Sequence, residues 1–349
     1  MMKNVRIGNK NVGEKNPCYI IAEIGLNHNG DINLAKKLID EAINAGVDSV
    51  KFQKRSIPDL LIKEMLDKPY SGPNSFGSTY GEHRNFLEFS NDQWYEINQY
   101  CKDKKIDLIV SPWDIPSANF LDTISVAAIK IASADVTNIP LLACIAKKDR
   151  PVILSTGMSN LEEIDEAVSV LSHDTKNIII LHCISAYPFD SKLANLNVIK
   201  TLKNRYPYPI GYSGHEKSGM VVSLGAVALG ACVIERHFTL DHTLKGPDHA
   251  ASLEPDGMRN LVTAIRKLEE SLGSPEKKIL DIELPIREKL GKSIVSAKYI
   301  KKGQVIRESD LTVKGPGSGL KPKFIPEIIG KKAKTDIPED AILQRDLFD

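Results

Sequence analysis

An excess of charge of either sign is missing from this chain. It has 46 basic against 45 acidic side chains, a formal net charge of +1. That balance removes the electrostatic case for a nucleic-acid partner or an anionic membrane surface. Long apolar runs are also missing. No stretch approaches the roughly 20 residues that span a bilayer. The N-terminal segment MMKNVRIGNKNVGEKNPCYIIAEIG holds no apolar core of the kind a secretory signal needs. Cysteine is sparse: Cys18, Cys101, Cys144, Cys183 and Cys232 are scattered, odd in number and without CxxC spacing. This excludes a disulfide framework and reads as reduced core thiols in a cytoplasmic protein. No GxGxxG opens a helix after the first strand-like run, so the dinucleotide-binding version of an open α/β sheet has no support.

What is present is a regular alternation. Short β-rich apolar runs occur at Tyr19–Ile24, Ser49–Gln53, Leu108–Ser111, Ala128–Ala132, Val152–Ser155, Ile178–Cys183, Ile210–Ser213 and Cys232–Glu235. Amphipathic stretches such as NLAKKLIDEAINAG (33–46) and LEEIDEAVSVL (161–171) lie between them, and PDGMRNLVTAIRKLEESLG (255–273) follows the last. The apolar runs are nearly continuous, as strands covered on both faces require. Eight such strand-helix units over roughly 270 residues predict a (β/α)₈ TIM barrel. A doubly wound sheet is the structural alternative.

Two segments stand outside the repeat. Residues 54–91 make a long second βα connection rich in Pro, Gly and Ser, carrying Tyr80, Glu82, His83 and Arg84. Long connections of this kind are usually functional or disordered, and a substrate cover is expected here. After residue 273, the charged stretch 274–292 reads as a linker and 293–349 as a small second domain. Within it AKYIKKGQVIRESDL (297–311) and AKTDIPEDAILQRDL (333–347) echo each other, which suggests two similar half-motifs. So small a domain has little core of its own and needs a partner surface.

Chemistry-bearing residues cluster at the strand ends, which in a parallel barrel form the catalytic rim. His215 and His237 follow the seventh and eighth runs. Neutral imidazoles there are ready ligands for a divalent metal. Lys51 and Lys130 belong to the second and fourth runs, and Ser111, Ser133, Ser155, Ser185 and Ser213 fall at or just past runs three to seven. Five hydroxyls on one rim suit an anionic ligand better than they suit packing.

These residues lie in motifs that resemble the sialic acid synthases: AEIGLNHNG (22–30), KFQ (51–53), KIASAD (130–135), STGMS (155–159), SAYP (185–188), GYSGHE (211–216), ERHFTLD (235–241) and GPDHAASLEP (246–255). GKSIVSAKYIKKGQ resembles the antifreeze-like (SAF, β-clip) domain of that family. The resemblance covers nearly the whole chain in order. It implies an enzyme of the phosphoenolpyruvate-condensing transferase type. The substrates would be phosphoenolpyruvate and an N-acylated mannosamine or its 6-phosphate. The products would be a nine-carbon 2-keto acid and phosphate. Lys51, Lys130 and the serines would hold the trianionic phosphoenolpyruvate. His215 and His237 would be the two protein ligands of Mn²⁺ or Mg²⁺. Glu23 would orient the sugar hydroxyls and assist proton transfer, with Gln53, Tyr187 and Asp248 as further sugar contacts and Asp135 as another substrate-binding residue. Arg84 would meet the 6-phosphate if the substrate carries one. The resemblance also implies a homodimer in which the C-terminal domain of one chain caps the barrel of the other.

Two positions depart from the family pattern. Asp135 stands where many members have Glu, and Gly315 in VKGPGSG (313–319) stands where bacterial free-sugar enzymes often have Arg. The loop TYGEHRNFLEFS (79–90) and the Gly315 departure look more like the subgroup that takes the phosphorylated sugar. Synthases for legionaminic, pseudaminic or KDN-type acids share the same core. The rivals are a 3-deoxy-sugar-acid phosphate synthase, against which the appended domain argues, and a non-enzymatic ice- or carbohydrate-binding protein, against which the polar strand ends argue.

Overall fold

The eight β-rich runs are parallel strands, and they close on themselves. The computed structural model describes residues 4–216 and 219–349. The strands are β1 Tyr19–Gly25, β2 Ser49–Lys54, β3 Asp107–Pro112, β4 Ala128–Ile131, β5 Val152–Ser155, β6 Ile178–Cys183, β7 Ile210–Gly214 and β8 Val233–His237. Each pairs with the next, and β8 returns to β1 with Val233 opposite Tyr19 and His237 opposite Glu23. The helices that follow them are α1 Ile32–Ala45, α2 Asn91–Lys104, α3 Ile115–Ile124, α4 Ile139–Ala146, α5 Leu161–Asp174, α6 Val198–Arg205, α7 Val221–Ala228 and α8 Pro255–Leu272. The expected (β/α)₈ barrel is therefore the fold of the first unit, Met1–Gly273.

Alternation along each strand sorts the side chains. Ile20, Ala22, Val50, Val110, Ile129, Leu154, Ile180 and Ile234 pack outward in the cluster that includes the apolar faces of the helices. Tyr19, Ile21, Ile109, Ala128, Ile153, Ile179, Leu181 and Val233 fill the lower interior. Val5, Ile7 and Val12 of a short N-terminal hairpin, Val5–Ile7 paired with Lys10–Val12, join that lower cluster. The inward positions one step further along are polar on every strand but β6, where Cys183 stands, and this step makes the site.

Local sequence fixes the helix ends. Asp31 caps α1 by accepting from the backbone N–H groups of Asn33 and Leu34, and Gly46 ends the helix at φ 84°. Ser90 with Gln93 and Asn160 with Glu163 form reciprocal capping boxes at α2 and α5. The long second connection is more ordered than its Gly/Pro content suggests. It contains the short helices Ile57–Leu60, Lys63–Leu66 and Tyr80–Leu87, the last opened by a Thr79–Glu82 capping box. His83 is buried there, with Tyr70, Phe76 and Tyr80 packed around its ring.

The second unit is Ser274–Asp349. Its exposed leading stretch, expected to be irregular, includes the helix Leu284–Leu290. Strands β9 Ser293–Ser296 and β10 Leu311–Lys314 are antiparallel. Ile294, Ile300, Ile306, Leu320, Ile328, Ala333, Ile337, Leu343 and Phe348 form its core. The echoed segments lie against each other: Ile300 and Ile337 exchange backbone hydrogen bonds, and each half ends in a 3₁₀ turn, Glu308–Asp310 and Arg345–Leu347. Among the described residues no helix is long and apolar enough to cross a membrane.

Candidate active site

The barrel's upper interior is a cavity of ≈ 220 Å³. Twelve of the fifteen residues expected to act line it: Glu23, Lys51, Gln53, Ser111, Lys130, Ser133, Ser155, Ser185, Tyr187, Ser213, His215 and His237. They come from every barrel strand or the residues just after it, so the strand ends alone assemble the site.

Four of the cavity's side chains are buried charges arranged as a chain. Lys51 Nζ lies 2.7 Å from Glu23 Oε2 and 3.7 Å from Glu235 Oε1. Lys130 Nζ lies 3.7 Å from the same Glu235 oxygen and donates to Ser155 Oγ at 2.6 Å. Gln53 Nε2 donates to Glu23 Oε1 at 2.7 Å, and Ser213 Oγ donates to Glu235 Oε1 at 3.0 Å. Burial pulls the Lys51 ammonium down, but Glu23 and Glu235 outweigh it and its pKa is raised. Lys130 differs. Burial lowers it, Glu235 opposes, and the nearby Lys51 charge adds to the lowering. Burial works against the Glu235 carboxylate, yet Lys130, Lys51 and the Ser213 hydrogen bond hold its pKa well below the ordinary range.

The hydroxyls gather beside these charges. Gly157 donates its N–H to Ser133 Oγ at 3.0 Å. A Cβ at that glycine would come within 2.2 Å of Ser185 Oγ and 2.9 Å of Ser133 Oγ. Ser185 Oγ is buried without a partner. A cradle of hydroxyls, one of them unpartnered, next to two ammonium groups is suited to a compact polyanion.

The two imidazoles face each other across the β7–β8 seam, ring centroids 5.3 Å apart, with the Tyr187 ring 3.9 Å from His215. His215 Nδ1 lies 2.9 Å from the Ile184 carbonyl oxygen. A carbonyl only accepts, so Nδ1 carries the proton and Nε2 is left as a bare lone pair. Burial, with the His237 ring beside it, lowers the His215 pKa to about 3. His237 Nδ1 is buried without a hydrogen-bond partner, 4.0 Å from Asp248 Oδ2. An orphaned ring nitrogen and a neutral imidazole with a bare nitrogen fit a divalent metal. Among the described residues no three His, Cys, Asp or Glu side chains are grouped to hold an ion. The protein would therefore give two ligands and leave the remaining positions open.

Three expected residues lie outside the cavity lining. Asp248 stands at the rim; a Cβ on Gly25 (φ +56°) would be 3.5 Å from its Oδ2 and 3.1 Å from Glu23 Oε1. Asp135 follows β4 in a 3₁₀ turn, accepts from Asn138 Nδ2 at 2.9 Å, and is pushed up by burial. Arg84 is in the loop helix, where its Nε donates to the Tyr80 hydroxyl at 2.9 Å. Lys245 Nζ sits 4.6 Å from the Phe76 ring centroid. In the second unit Lys314 pairs with Asp340.

Sequence reasoning missed two groups. Glu235 is the hub of both lysines, although its motif was read for His237 alone. Arg55 is buried, pairs with Glu88, donates to Gln53 Oε1 and stacks 4.4 Å from the ring centroid of Trp113, another lining residue. The alternation rule could have flagged Glu235, because it shares parity with His237. No local signal marks Arg55.

Residues 38–277 match the profile of the NeuB family, and residues 291–349 match the SAF domain. The human N-acetylneuraminate-9-phosphate synthase is 42% identical over 97% of this chain and 94% of its own length. The N,N'-diacetyllegionaminic acid synthase of Legionella pneumophila is 39% identical over 95% of this chain and 94% of its own. The crystal structure of an N-acetylneuraminic acid synthetase from Leptospira borgpetersenii superposes with a TM-score of 0.72 at 38% identity, covering 82% of this chain and 95% of that one.

Proposed function

The chain belongs to the NeuB family, and from that membership we propose that it condenses phosphoenolpyruvate with N-acetylmannosamine or its 6-phosphate. C3 of the enol phosphate bonds to the aldehyde carbon, water adds at C2, and the C2–O bond breaks to release phosphate. The product is N-acetylneuraminate or its 9-phosphate. One observation carries the reading: two buried ammonium groups, a row of serine hydroxyls and two imidazoles line a single cavity.

In this reading Lys130, Lys51 and the cradle of Ser133, Ser155 and Ser185 bind the carboxylate and phosphate of phosphoenolpyruvate. Ser111 on β3 accepts from Lys51 and keeps its own proton for the ligand, whereas Ser213 on β7 donates to Glu235 and holds that carboxylate in place. Glu23, held by Lys51 and Gln53, orients the sugar hydroxyls and takes part in proton transfer. Tyr187 and Asp248 wall the sugar side, and Asp135 lies just behind. His215 and His237 would hold Mn²⁺ or Mg²⁺, which when bound supplies polarisation of the aldehyde oxygen. The 6-phosphate form is favoured by the likeness to the human enzyme, and Arg84 on the loop helix is the group proposed to meet it. A diacetylated sugar, giving a legionaminic acid, is the second reading, favoured by the Legionella relative. The working enzyme is proposed to be a cytoplasmic homodimer with swapped C-terminal units.

The test is phosphate release from phosphoenolpyruvate with each sugar, with and without EDTA, and mass spectrometry of the product. Release with N-acetylmannosamine 6-phosphate that EDTA abolishes supports the full reading. Release that EDTA leaves intact removes the metal. No release with any of these sugars removes the function.

A further inference from the structure

Alternation places a second pair of residues back to back with the imidazoles. His215 and His237 line the cavity, whereas Glu216, just past β7, and Arg236, on β8, each one position away, are outside its lining and pair with each other. Both are more than nine-tenths buried. Arg236 Nη1 pairs with Glu216 Oε1, and also donates to the Gly219 carbonyl at 2.7 Å and to Ser223 Oγ at 3.2 Å. Its Nη2 donates to the Glu216 carbonyl at 3.1 Å. The Tyr212 hydroxyl donates to Glu216 Oε2 at 2.8 Å. The pair thus ties the end of β7, the end of β8 and the start of α7 together immediately behind the two histidines. Neither residue lines the cavity, and the reaction proposed above does not use the pair.

We infer that the Glu216–Arg236 pair is a positioning device that sets the separation of the His215 and His237 rings, and so the affinity of the site for a divalent cation. The inference rests on the proposed metal reading. The physical reason lies in what a buried fork does. A guanidinium carried by one strand, with several donors engaged by the segment that follows its neighbour, fixes the two ends more tightly than apolar packing of similar volume. Such a pair adds little net stability, because desolvation offsets the attraction. Its replacement by neutral side chains should therefore spare the fold while loosening the ligand geometry.

The experiment titrates Mn²⁺ into the metal-free full chain, with free Mn²⁺ read by electron paramagnetic resonance, and phosphoenolpyruvate by calorimetry in metal-free buffer. The Glu216→Gln/Arg236→Met double variant should melt close to the unsubstituted protein. Its Mn²⁺ dissociation constant should rise at least about tenfold, the low end for residues that support metal ligands. Its phosphoenolpyruvate affinity should be unchanged. Arg236→Lys should show a smaller rise. A folded double variant that binds Mn²⁺ as the parent does would overturn the inference, as would a parallel loss of phosphoenolpyruvate affinity. If the double variant does not fold, Tyr212→Phe decides: weaker Mn²⁺ binding supports the clamp and unchanged binding refutes it. An unsubstituted protein that binds no Mn²⁺ removes the metal reading itself, a different failure from that of the clamp.

Discussion

Lys51 and Lys130 bring the same charge to the same cavity and are not equivalent. Lys51 is held by Glu23 at 2.7 Å and its pKa is raised, whereas Lys130 leans on a serine hydroxyl and sees its nearest carboxylate at 3.7 Å. Lys130 therefore has more of its charge free for an incoming anion. We expect Lys130→Ala to weaken phosphoenolpyruvate binding by about 1.5–3 kcal/mol, the range for hydrogen bonds to charged groups. Lys51→Ala should cost less affinity and more stability, because it leaves Glu23 buried and unpaired. Calorimetry and thermal melts on the two variants check this, and a larger affinity loss for Lys51→Ala reverses the assignment. The lysines and serines were legible because each one sits at a recognisable strand end. Glu235 and Arg55 were not, because their roles come from neighbours across the barrel. Glu235 gains its meaning from Lys51, Lys130 and Ser213, which only the closed register brings together.

Strands were the most readable elements, since near-continuous β-branched runs leave few alternatives to a buried parallel strand. Their ends shifted by only one or two residues; β8 begins at Val233 and carries His237 within it. The long βα connection stands apart in the sequence by its composition, but its short helices do not show there. Its order depends on an aromatic cluster of Tyr70, Phe76 and Tyr80 around His83, a packing event without sequence periodicity. That cluster also explains why His83 is buried. The loop after β5 gives the sharpest prediction at this scale. Gly157 approaches Ser133 and Ser185 too closely for a side chain. Gly157→Ala should push both hydroxyls from their places and lower phosphoenolpyruvate affinity at least as much as losing one neutral hydrogen bond, about 1 kcal/mol or roughly fivefold. The fold should survive, because two hydroxyl rotors can yield. Unchanged affinity would mean that the anion sits elsewhere in the cavity.

The chain as a whole divides into a barrel with a complete polar rim and a small unit with its own apolar core. Removal of residues 280–349 is expected to leave a folded barrel, seen by circular dichroism, with little activity; full activity would contradict a capping role for the C-terminal unit. One source of acid sensitivity lies in the barrel, in the neutral histidines buried inside it. His28 stacks on Phe89 at 4.1 Å and its Nδ1 accepts the Gly30 N–H. Burial, helped by the Arg55 charge, lowers its pKa from the ordinary 6.5 to about 3. His83, His182 and His249 are lowered as well, burial being the largest cause in each. In the folded state these rings stay neutral. In the unfolded state each takes up a proton once the pH drops below about 6.5. The unfolded chain thus binds more protons, so stability is present in full above pH 6.5 and is lost as the pH falls toward the folded value. His28 alone contributes a slope approaching 1.4 kcal/mol per pH unit below about pH 6. Urea unfolding of the metal-free protein at pH 7.5, 6.5, 5.5 and 4.5 should show a falling unfolding free energy at constant m-value. His28→Gln should remove about one proton from the slope, whatever it costs in stability at pH 7.5. A free energy that stays level from pH 7.5 to 5.5 would mean that these rings take up protons in the folded barrel as readily as in the unfolded chain.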